Sequence, residues 1–155
     1  MRDLDRIDRK LLAILQSDGR ISITALAERV GLSATPCADR MRRLEREGVI
    51  TGYYARVNPK ALGLTLLVFV EIKLAAKSGD VFEKVKRELM VVPEVMECHL
   101  VSGDFDYLIK ARIREMSDYR RLLGDVLKRM PASAESRSFV VMEEVKETMC
   151  LPTSS

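Results

Sequence analysis

A short amphipathic helix with an arginine-rich outer face is predicted over residues 32–45 and limits the architectures open to this chain. Ser33 is a favourable N-cap, because its hydroxyl can accept one of the N–H groups that the first helical turn leaves free. Cys37, Met41 and Leu44 follow at helical spacing and share one apolar face. The opposite face is polar and basic, so the segment should pack on one side and present arginines on the other.

Two further helical patterns come before this segment, over residues 4–17 and 23–30, and Gly31 ends the second. Two short helices followed by a basic third helix are typical of a helix-turn-helix that reads the DNA major groove. The sequence therefore favours binding to the control region of a gene over catalysis. The candidate DNA-contacting residues are Ser33, Thr35, Ala38, Asp39, Arg40, Arg42 and Arg43.

Different roles are expected along this third helix. Arginine forks suit guanine edges and phosphates, and small side chains let a helix approach the bases closely. We therefore expect Arg42 and Thr35 to read bases, and Arg40 and Arg43 to hold phosphates. The alternative is an ordinary amphipathic helix with a solvated charged face, since Asp39 and nearby glutamates reduce the positive charge. The two preceding helices favour DNA binding.

Composition and charge agree with a globular DNA-binding protein. Of the 155 residues, 47% are hydrophobic and 32% are charged. Residues 1–60 hold 12 basic and 8 acidic side chains, whereas residues 61–155 hold 14 and 15, so positive charge lies where the DNA-reading helix is predicted. No apolar run approaches the roughly 18 residues of a membrane span, and no signal peptide is recognisable. Three widely spaced cysteines argue against a disulfide framework, so we expect a cytoplasmic protein.

The hydrophobic period changes after residues 49–57, which predict a short extended segment that is either a crossover or a small wing. Strands are predicted over residues 66–74, 95–101, 107–113 and 138–145, with helices beginning at Asp80 and Ser117. The order βαββαβ is typical of a ferredoxin-like α+β fold, in which both helices cover one face of a four-stranded antiparallel sheet. The other face still carries apolar residues, so we expect a second copy to cover it in a dimer.

The sequence shows no assembled catalytic or metal-binding group. His99 is the only histidine and adjoins Cys98, but neighbouring side chains on a strand point to opposite faces. No CxxC or HxxH spacing occurs, and neither a Gly-x-Ser-x-Gly motif nor a glycine-rich nucleotide motif is present. We therefore expect a protein that is not an enzyme and has no bound metal or cofactor.

The turn from Gly103 to Asp106 concentrates negative charge between two predicted strands. One interpretation is a plain hairpin turn, in which glycine permits positive φ and aspartate accepts turn N–H groups. The other is a pocket in which the carboxylates of Asp104 and Asp106 hold an ammonium group while turn N–H groups hold a carboxylate. Those two groups are the ends of a free amino acid. The residues alone favour the plain turn.

The chain resembles the Lrp/AsnC family of bacterial transcription regulators over nearly its whole length. The matching segments are Leu4–Asp8, Asp18–Ser22, Arg29–Ser33, Thr35–Cys37, Arg42–Glu45, Leu67–Ile72, Glu97–Leu108 and Val140–Lys146. The resemblance implies a winged-helix-like helix-turn-helix domain, a hinge strand and a ferredoxin-like domain that binds an effector and oligomerises. The implied limits are 1–50 for DNA binding, 51–65 for the hinge and linker, 66–147 for the effector domain and 148–155 for a flexible tail.

The same resemblance implies double-stranded DNA as partner, dimers that assemble further, commonly into octamers, and a small amino acid bound between dimers. It places this effector near Gly103, Asp104 and Asp106, and so favours the pocket over the plain turn. The candidates for the apolar side of the pocket are Met116, Phe139, Val140 and Val141. Leucine is the first candidate effector, with proline, lysine or another amino acid as alternatives. An amino-acid-binding module or an enzyme without a DNA role is the alternative from a different class.

Overall fold

The structure is a computed structural model that describes residues 3–130 and 134–153. The chain divides into two compact units. The first contains the N-terminal residues up to Arg56 together with the C-terminal residues from Lys146 onward, and the second runs from Val57 to Val145. The chain therefore passes from one unit to the other twice.

Three helices build the first unit. They are α1 (Arg6–Ser17), α2 (Ile23–Val30) and α3 (Ala34–Arg46). A capping box begins α1: the Asp5 carboxylate accepts a hydrogen bond from the Asp8 N–H, and the Asp8 carboxylate accepts one from the Asp5 N–H. Gly31, at φ +78°, ends α2 in the left-handed conformation that glycine adopts without strain. Leu11 and Leu26 are fully buried between the helices, as the helical patterns predict.

The segment after α3 forms no strand within the described residues 47–65. Tyr53 anchors it instead, because its hydroxyl donates a 2.9 Å hydrogen bond to Oε1 of Glu45 near the end of α3. Burial, with the hydrogen bond and charge of Glu45, raises the pKa of Tyr53 to about 12. A 3-10 turn, Pro59–Leu62, leads on to the sheet. Residues 51–65, predicted as a hinge strand and linker, therefore contain no strand in the described chain.

An antiparallel sheet and two helices build the second unit. The elements are β1 (Leu66–Leu74), α4 (Gly79–Met90), β2 (Val95–Leu100), β3 (Tyr107–Ile113), α5 (Met116–Arg129) and β4 (Ala134–Val140). The strand order is β2-β3-β1-β4 with every neighbouring pair antiparallel, which confirms the predicted ferredoxin-like architecture. One sheet face and both helices form the core, where Val68, Ile72, Val85, Ile109 and Val126 are buried.

The opposite face, here called the open sheet face, mixes apolar and charged residues. Phe69 of β1 lies beside Phe139 of β4, and the next pair along the same face is Glu71 beside Arg137. Phe139 remains 51% exposed. Because period-2 alternation places all four side chains on the same side of the sheet, the face has an apolar centre and a charged end.

Strand β4 occupies Ala134–Val140 rather than the predicted residues 138–145. Its register is fixed by β1, since Ala134 pairs with Leu74 and Val140 pairs with Val68. Polar side chains fill the first half of β4, so its hydrophobic pattern is weak. Long-range pairing with a central strand therefore decides its position, which a local pattern cannot reveal.

Residues 146–153 have no regular secondary structure and belong to the first unit. The Gln16 side chain binds Leu151 twice: Oε1 accepts from the Leu151 N–H at 2.6 Å, and Nε2 donates to the Leu151 carbonyl at 3.0 Å. Arg56 donates to the Glu147 carbonyl at 3.3 Å. These compact units thus differ from the predicted division, which assigned Glu147 to the effector domain and 148–155 to a flexible tail.

None of the helices described here is both long enough and apolar enough to cross a membrane.

Candidate functional site

The outer face of α3 presents most of the residues predicted to contact DNA. Thr35, Asp39, Arg42 and Arg46 recur at the spacing i, i+4, i+7, i+11 and are all exposed, and Ala38 lies half-buried beside them. The apolar residues predicted for the other side of the helix pack toward the core. A helix with one small, hydroxyl- and arginine-bearing face is suited to entering a DNA groove.

Arg42 is held only loosely on this face. Its Nη1 lies 3.0 Å from Oδ1 of Asp39, and the two side chains are 70% and 63% exposed. An ion pair this exposed contributes little, so Arg42 can exchange Asp39 for a base edge or a phosphate at small cost. Ser33 occupies the N-cap as predicted, but its side chain makes no cap hydrogen bond. Its exposed hydroxyl is therefore not committed to the helix.

Arg40 and Arg43 are placed differently from Arg42, since both bind carboxylates of α1. Nη1 of Arg40 lies 2.5 Å from Oδ2 of Asp5 and 2.9 Å from Oδ1 of Asp8. Nη2 of Arg43 lies 2.6 Å from the other oxygen of Asp8, which is buried. The helix thus carries two groups of arginines, one turned outward and one paired with α1.

Asp5 and Arg40 each shift the pKa of the other. The Asp8 N–H, followed by the Arg40 side chain, lowers the pKa of Asp5. The carboxylates of Asp5 and Asp8 in turn raise the pKa of Arg40. Each shift favours the charged form of the group, so the Asp5–Arg40 pair is favoured over a wide pH range.

A cleft of about 220 Å³ opens on the second unit beside the turn between β2 and β3. It is lined by Glu71, Lys73, Asp104, Phe105, Glu135, Ser136 and Arg137. Among the described residues, no hydrogen bond or ion pair engages the side chains of Lys73 or Arg137. The cleft therefore offers two cations, three carboxylates, one hydroxyl and one aromatic ring.

The turn residues predicted to bind the effector divide into two groups. Asp104 lines the cleft. Gly103, its neighbour, has φ +137° and open space where a Cβ would lie. Asp106 instead is buried, with Oδ1 2.8 Å from Nζ of Lys77 and Oδ2 accepting a 2.8 Å hydrogen bond from the Leu74 N–H. It does not line the cleft.

The pKa of Asp106 reflects this pairing. Burial alone would raise it, but the hydrogen bonds from Lys77 and from the Leu74 N–H, with the charges of Lys77 and Lys73, lower it below 3.8. The carboxylate is thus ionised and already fully engaged. It fastens the end of β1 to the turn rather than offering a free charge to a ligand.

The four residues predicted for the apolar side of the pocket lie away from the turn, with Phe139 near the middle of the sheet and Val141 toward its other end. The Val141 N–H donates to the carbonyl of Leu67, whereas the Asp106 N–H donates to that of Ile72. These two points are five positions apart along β1, or about 17 Å at the rise of a strand. The described part of the chain therefore does not bring Phe139, Val140 and Val141 to the turn. Met116, half-exposed at the start of α5, also follows the end of β3 that is remote from it.

Five residues that line the cleft were not predicted from the sequence, and they lie on β1 and β4: Glu71, Lys73, Glu135, Ser136 and Arg137. Lys73 lies beside Glu135, and Glu71 beside Arg137, in the register of the two strands. The sequence does show charged residues at every second position in 71–73 and 135–137. This pattern indicates a shared charged face only when the position of β4 is known. A cleft with both signs of charge can bind a small zwitterion by its two ends.

Comparison with known proteins gives matches over nearly the whole chain. Residues 4–51 match the model of a winged helix-turn-helix DNA-binding domain, and residues 67–151 match that of the Lrp/AsnC ligand binding domain. The chain is 56% identical over 147 residues to the leucine-responsive regulatory protein of Escherichia coli, covering 95% of this chain and 90% of the relative.

Solved structures agree in fold. An AsnC family transcriptional regulator from Agrobacterium tumefaciens superposes with a TM-score of 0.92 at 34% identity, covering 96% of this chain and 97% of the other. A transcriptional regulator from Neisseria meningitidis, solved as a complex with L-Met, gives 0.90 at 33% identity and covers 97% of each chain. The chain therefore belongs to the Lrp/AsnC family: it is a DNA-binding transcription regulator with a ligand-binding domain, and it is not an enzyme.

Proposed function

We propose that this protein regulates genes of amino-acid metabolism and that a free amino acid, held in the charged cleft, controls it. The observation that carries the proposal is the charge pattern of the cleft, where cations and carboxylates lie within one small volume of the ligand-binding domain. The α-carboxylate and α-ammonium groups of an amino acid require such a pair of partners. Because DNA is the partner of the other domain, we place the protein in the cytoplasm.

On the DNA side, we propose that Thr35, Ala38, Asp39, Arg42 and Ser33 face the major groove. Exposure on one side of α3 supports Thr35, Asp39 and Arg42, while Ala38 lies half-buried beside them and Ser33 is exposed at the N-cap. Arg40 and Arg43, expected from the sequence to hold phosphates, are left out of the proposed contacts because both are paired with carboxylates of α1. Arg46 takes their place, since it continues the exposed row one turn beyond Arg42.

In the cleft, we propose that Lys73 and Arg137 bind the carboxylate of the amino acid and that Asp104 binds its ammonium group. Gly103 lets the ligand approach the backbone, because no side chain occupies the space above it. Phe105 provides the apolar surface for the side chain of the ligand. Asp106 is left out of the ligand contacts, because Lys77 and the Leu74 N–H already occupy its oxygens.

Leucine is the first candidate for the effector, because the Escherichia coli relative is named as leucine-responsive. The Neisseria relative was solved with L-Met, so methionine is the second. Proline, lysine and other amino acids complete the panel to be tested. All share the two charged ends that the cleft can bind, and they differ in what contacts Phe105.

Titration calorimetry with this panel tests the proposal. We expect leucine or methionine to bind, and Asp104→Ala to weaken the binding about tenfold, the effect of losing one charge-assisted hydrogen bond of roughly 1.5 kcal/mol. Asp80→Ala, which removes an exposed carboxylate from the start of α4, is the matched control and should bind normally. Undiminished binding by Asp104→Ala would move the site elsewhere, and no binding by any amino acid would remove the effector from the proposal.

We further propose that two copies of the chain pair through the open sheet face, and that dimers assemble into larger oligomers, as octamers. The half-exposed Phe139 beside Phe69 supports this face, because isolated apolar centres of this kind are costly in water. A dimer also suits a helix-turn-helix, since two recognition helices can reach successive major grooves.

Sedimentation of the full chain tests the proposed face. We expect Phe139→Glu to shift the protein toward monomers, because a carboxylate would be buried without a partner at the centre of the interface. Met90→Glu, at an exposed apolar position at the end of α4, is the control and should leave the oligomer intact. An unchanged distribution for Phe139→Glu would exclude this face as the contact.

A further inference from the structure

We propose that Asp8 is a specificity-determining residue, which acts by keeping Arg40 and Arg43 of the recognition helix away from the DNA backbone. The observation is that one buried carboxylate on α1 binds guanidinium groups from two successive turns of α3, one on each of its oxygens. The proposal rests on DNA binding through α3 and adds a residue that does not itself touch DNA.

The buried position of Asp8 stabilises its ion pairs with Arg40 and Arg43. Asp8 has only 3% of its side chain exposed, and the side chains of Arg40 and Arg43 are 27% and 25% exposed. Nε of Arg43 is buried and has no hydrogen-bond partner among the described residues, so this guanidinium is turned into the protein. Moving either arginine to a phosphate would leave the buried carboxylate short of a partner, and breaking a buried pair costs far more than an exposed ion pair returns.

The consequence for DNA recognition follows from the two kinds of contact. Phosphate contacts strengthen binding to every sequence alike, whereas base contacts separate one sequence from another. Each additional phosphate contact also makes the logarithm of the binding constant fall more steeply with the logarithm of the salt concentration, by about 0.9. With two arginines withheld, a larger share of the binding comes from the outward residues of α3, and discrimination between sequences is greater.

The test compares the full-length protein with Asp8→Asn by fluorescence anisotropy at several salt concentrations. The probes are a duplex that the wild-type protein selects from a random-sequence pool and a scrambled duplex of the same composition. We expect Asp8→Asn to bind the scrambled duplex more tightly, to lose several-fold in preference for the selected one, and to steepen the salt dependence by about 1 to 2. A merely structural role would weaken both duplexes and leave the salt dependence unchanged, which would overturn the proposal.

Three further variants distinguish the effect of releasing arginines from the effect of losing one negative charge. Adding Arg40→Gln and Arg43→Gln to Asp8→Asn should restore the wild-type salt dependence, because no arginine is left to release. Asp5→Asn removes one of the two carboxylates that bind Arg40 and leaves Asp8 in place, so it should give a smaller change than Asp8→Asn. Asp118→Asn removes a carboxylate that pairs with Arg121 in α5, and it should change neither measurement.

One variant keeps the proposal testable where Asp8→Asn fails to fold. Arg43→Gln in the otherwise wild-type chain should leave the salt dependence unchanged, because Arg43 contributes no phosphate contact. A shallower dependence, by about 0.9, would show that Arg43 contacts DNA and would overturn the proposal. If the wild-type protein selects no sequence at all, the regulator function fails, while the salt dependence on the scrambled duplex still tests the role of Asp8.

Discussion

Replacing Arg42 by alanine is expected to weaken binding to the selected DNA by roughly 5- to 150-fold, or about 1–3 kcal/mol, and to reduce the preference for that sequence. Arg42 is the outward arginine nearest the centre of α3, and only an exposed pair with Asp39 competes for it. A bidentate contact with a guanine edge is the interaction that this substitution removes. Anisotropy titration with selected and scrambled duplexes measures both effects.

The matched control is Arg121→Ala in the second unit. Arg121 pairs with Asp118 at the same i, i+3 spacing and the same 3.0 Å distance, and its side chain is 66% exposed against 70% for Arg42. Its replacement should leave DNA binding unchanged. If Arg42→Ala kept both the affinity and the sequence preference of the wild-type protein, the outward face of α3 would not be the reading face.

Asp106→Ala is expected to lower the free energy of unfolding of the second unit by about 1–3 kcal/mol. The substitution leaves the buried Leu74 N–H without an acceptor and removes the partner of Lys77. Denaturant unfolding followed by circular dichroism measures the loss, with Asp104→Ala as the control that should be close to wild type. The reverse order of stabilities would make Asp104 the structural residue of the turn.

The stabilising effect of Asp106 should also depend on pH in a definite direction. Because its pKa is lower in the folded chain than the ordinary 3.8, the ionised carboxylate favours the folded state. This contribution is complete above the ordinary pKa and disappears as the pH falls through the lower folded value. Unfolding of wild type and Asp106→Asn should therefore converge in acid, and a difference that grew on acidification would contradict the assignment.

Local sequence patterns were sufficient to predict the helices and strands that have a strong hydrophobic periodicity. The predicted bounds of β1 and β3 match the structure, as does the position of α2, because β-branched runs and helical spacing are local signals. The basic helix also lies where it was predicted. These elements fix the architecture, so the fold class followed from the chain without any knowledge of its partners.

The site residues depended on contacts that no local pattern contains. A helical wheel places Arg40 and Arg43 on the flank of α3, but only packing against α1 brings Asp8 beneath them. In the same way, pairing with β1 places β4 earlier in the sequence than predicted. Arg137, rather than Phe139, therefore lies near the turn. Both differences arise from neighbours that are distant in sequence, and both changed which charges are available to a ligand.

The double passage of the chain between its two units has a practical consequence for dissection by proteolysis. A single cut between Arg56 and Val57 leaves the pieces covalently unlinked, yet the C-terminal piece still carries residues 146–153, whose Leu151 is bound to Gln16 of α1. Separating the units cleanly takes a second cut near Val145. A fragment that ends before Lys146 therefore alters the DNA-binding unit, although the missing residues are remote from it in sequence. For the same reason, a thiol label on the exposed Cys150 reports on the DNA-binding unit.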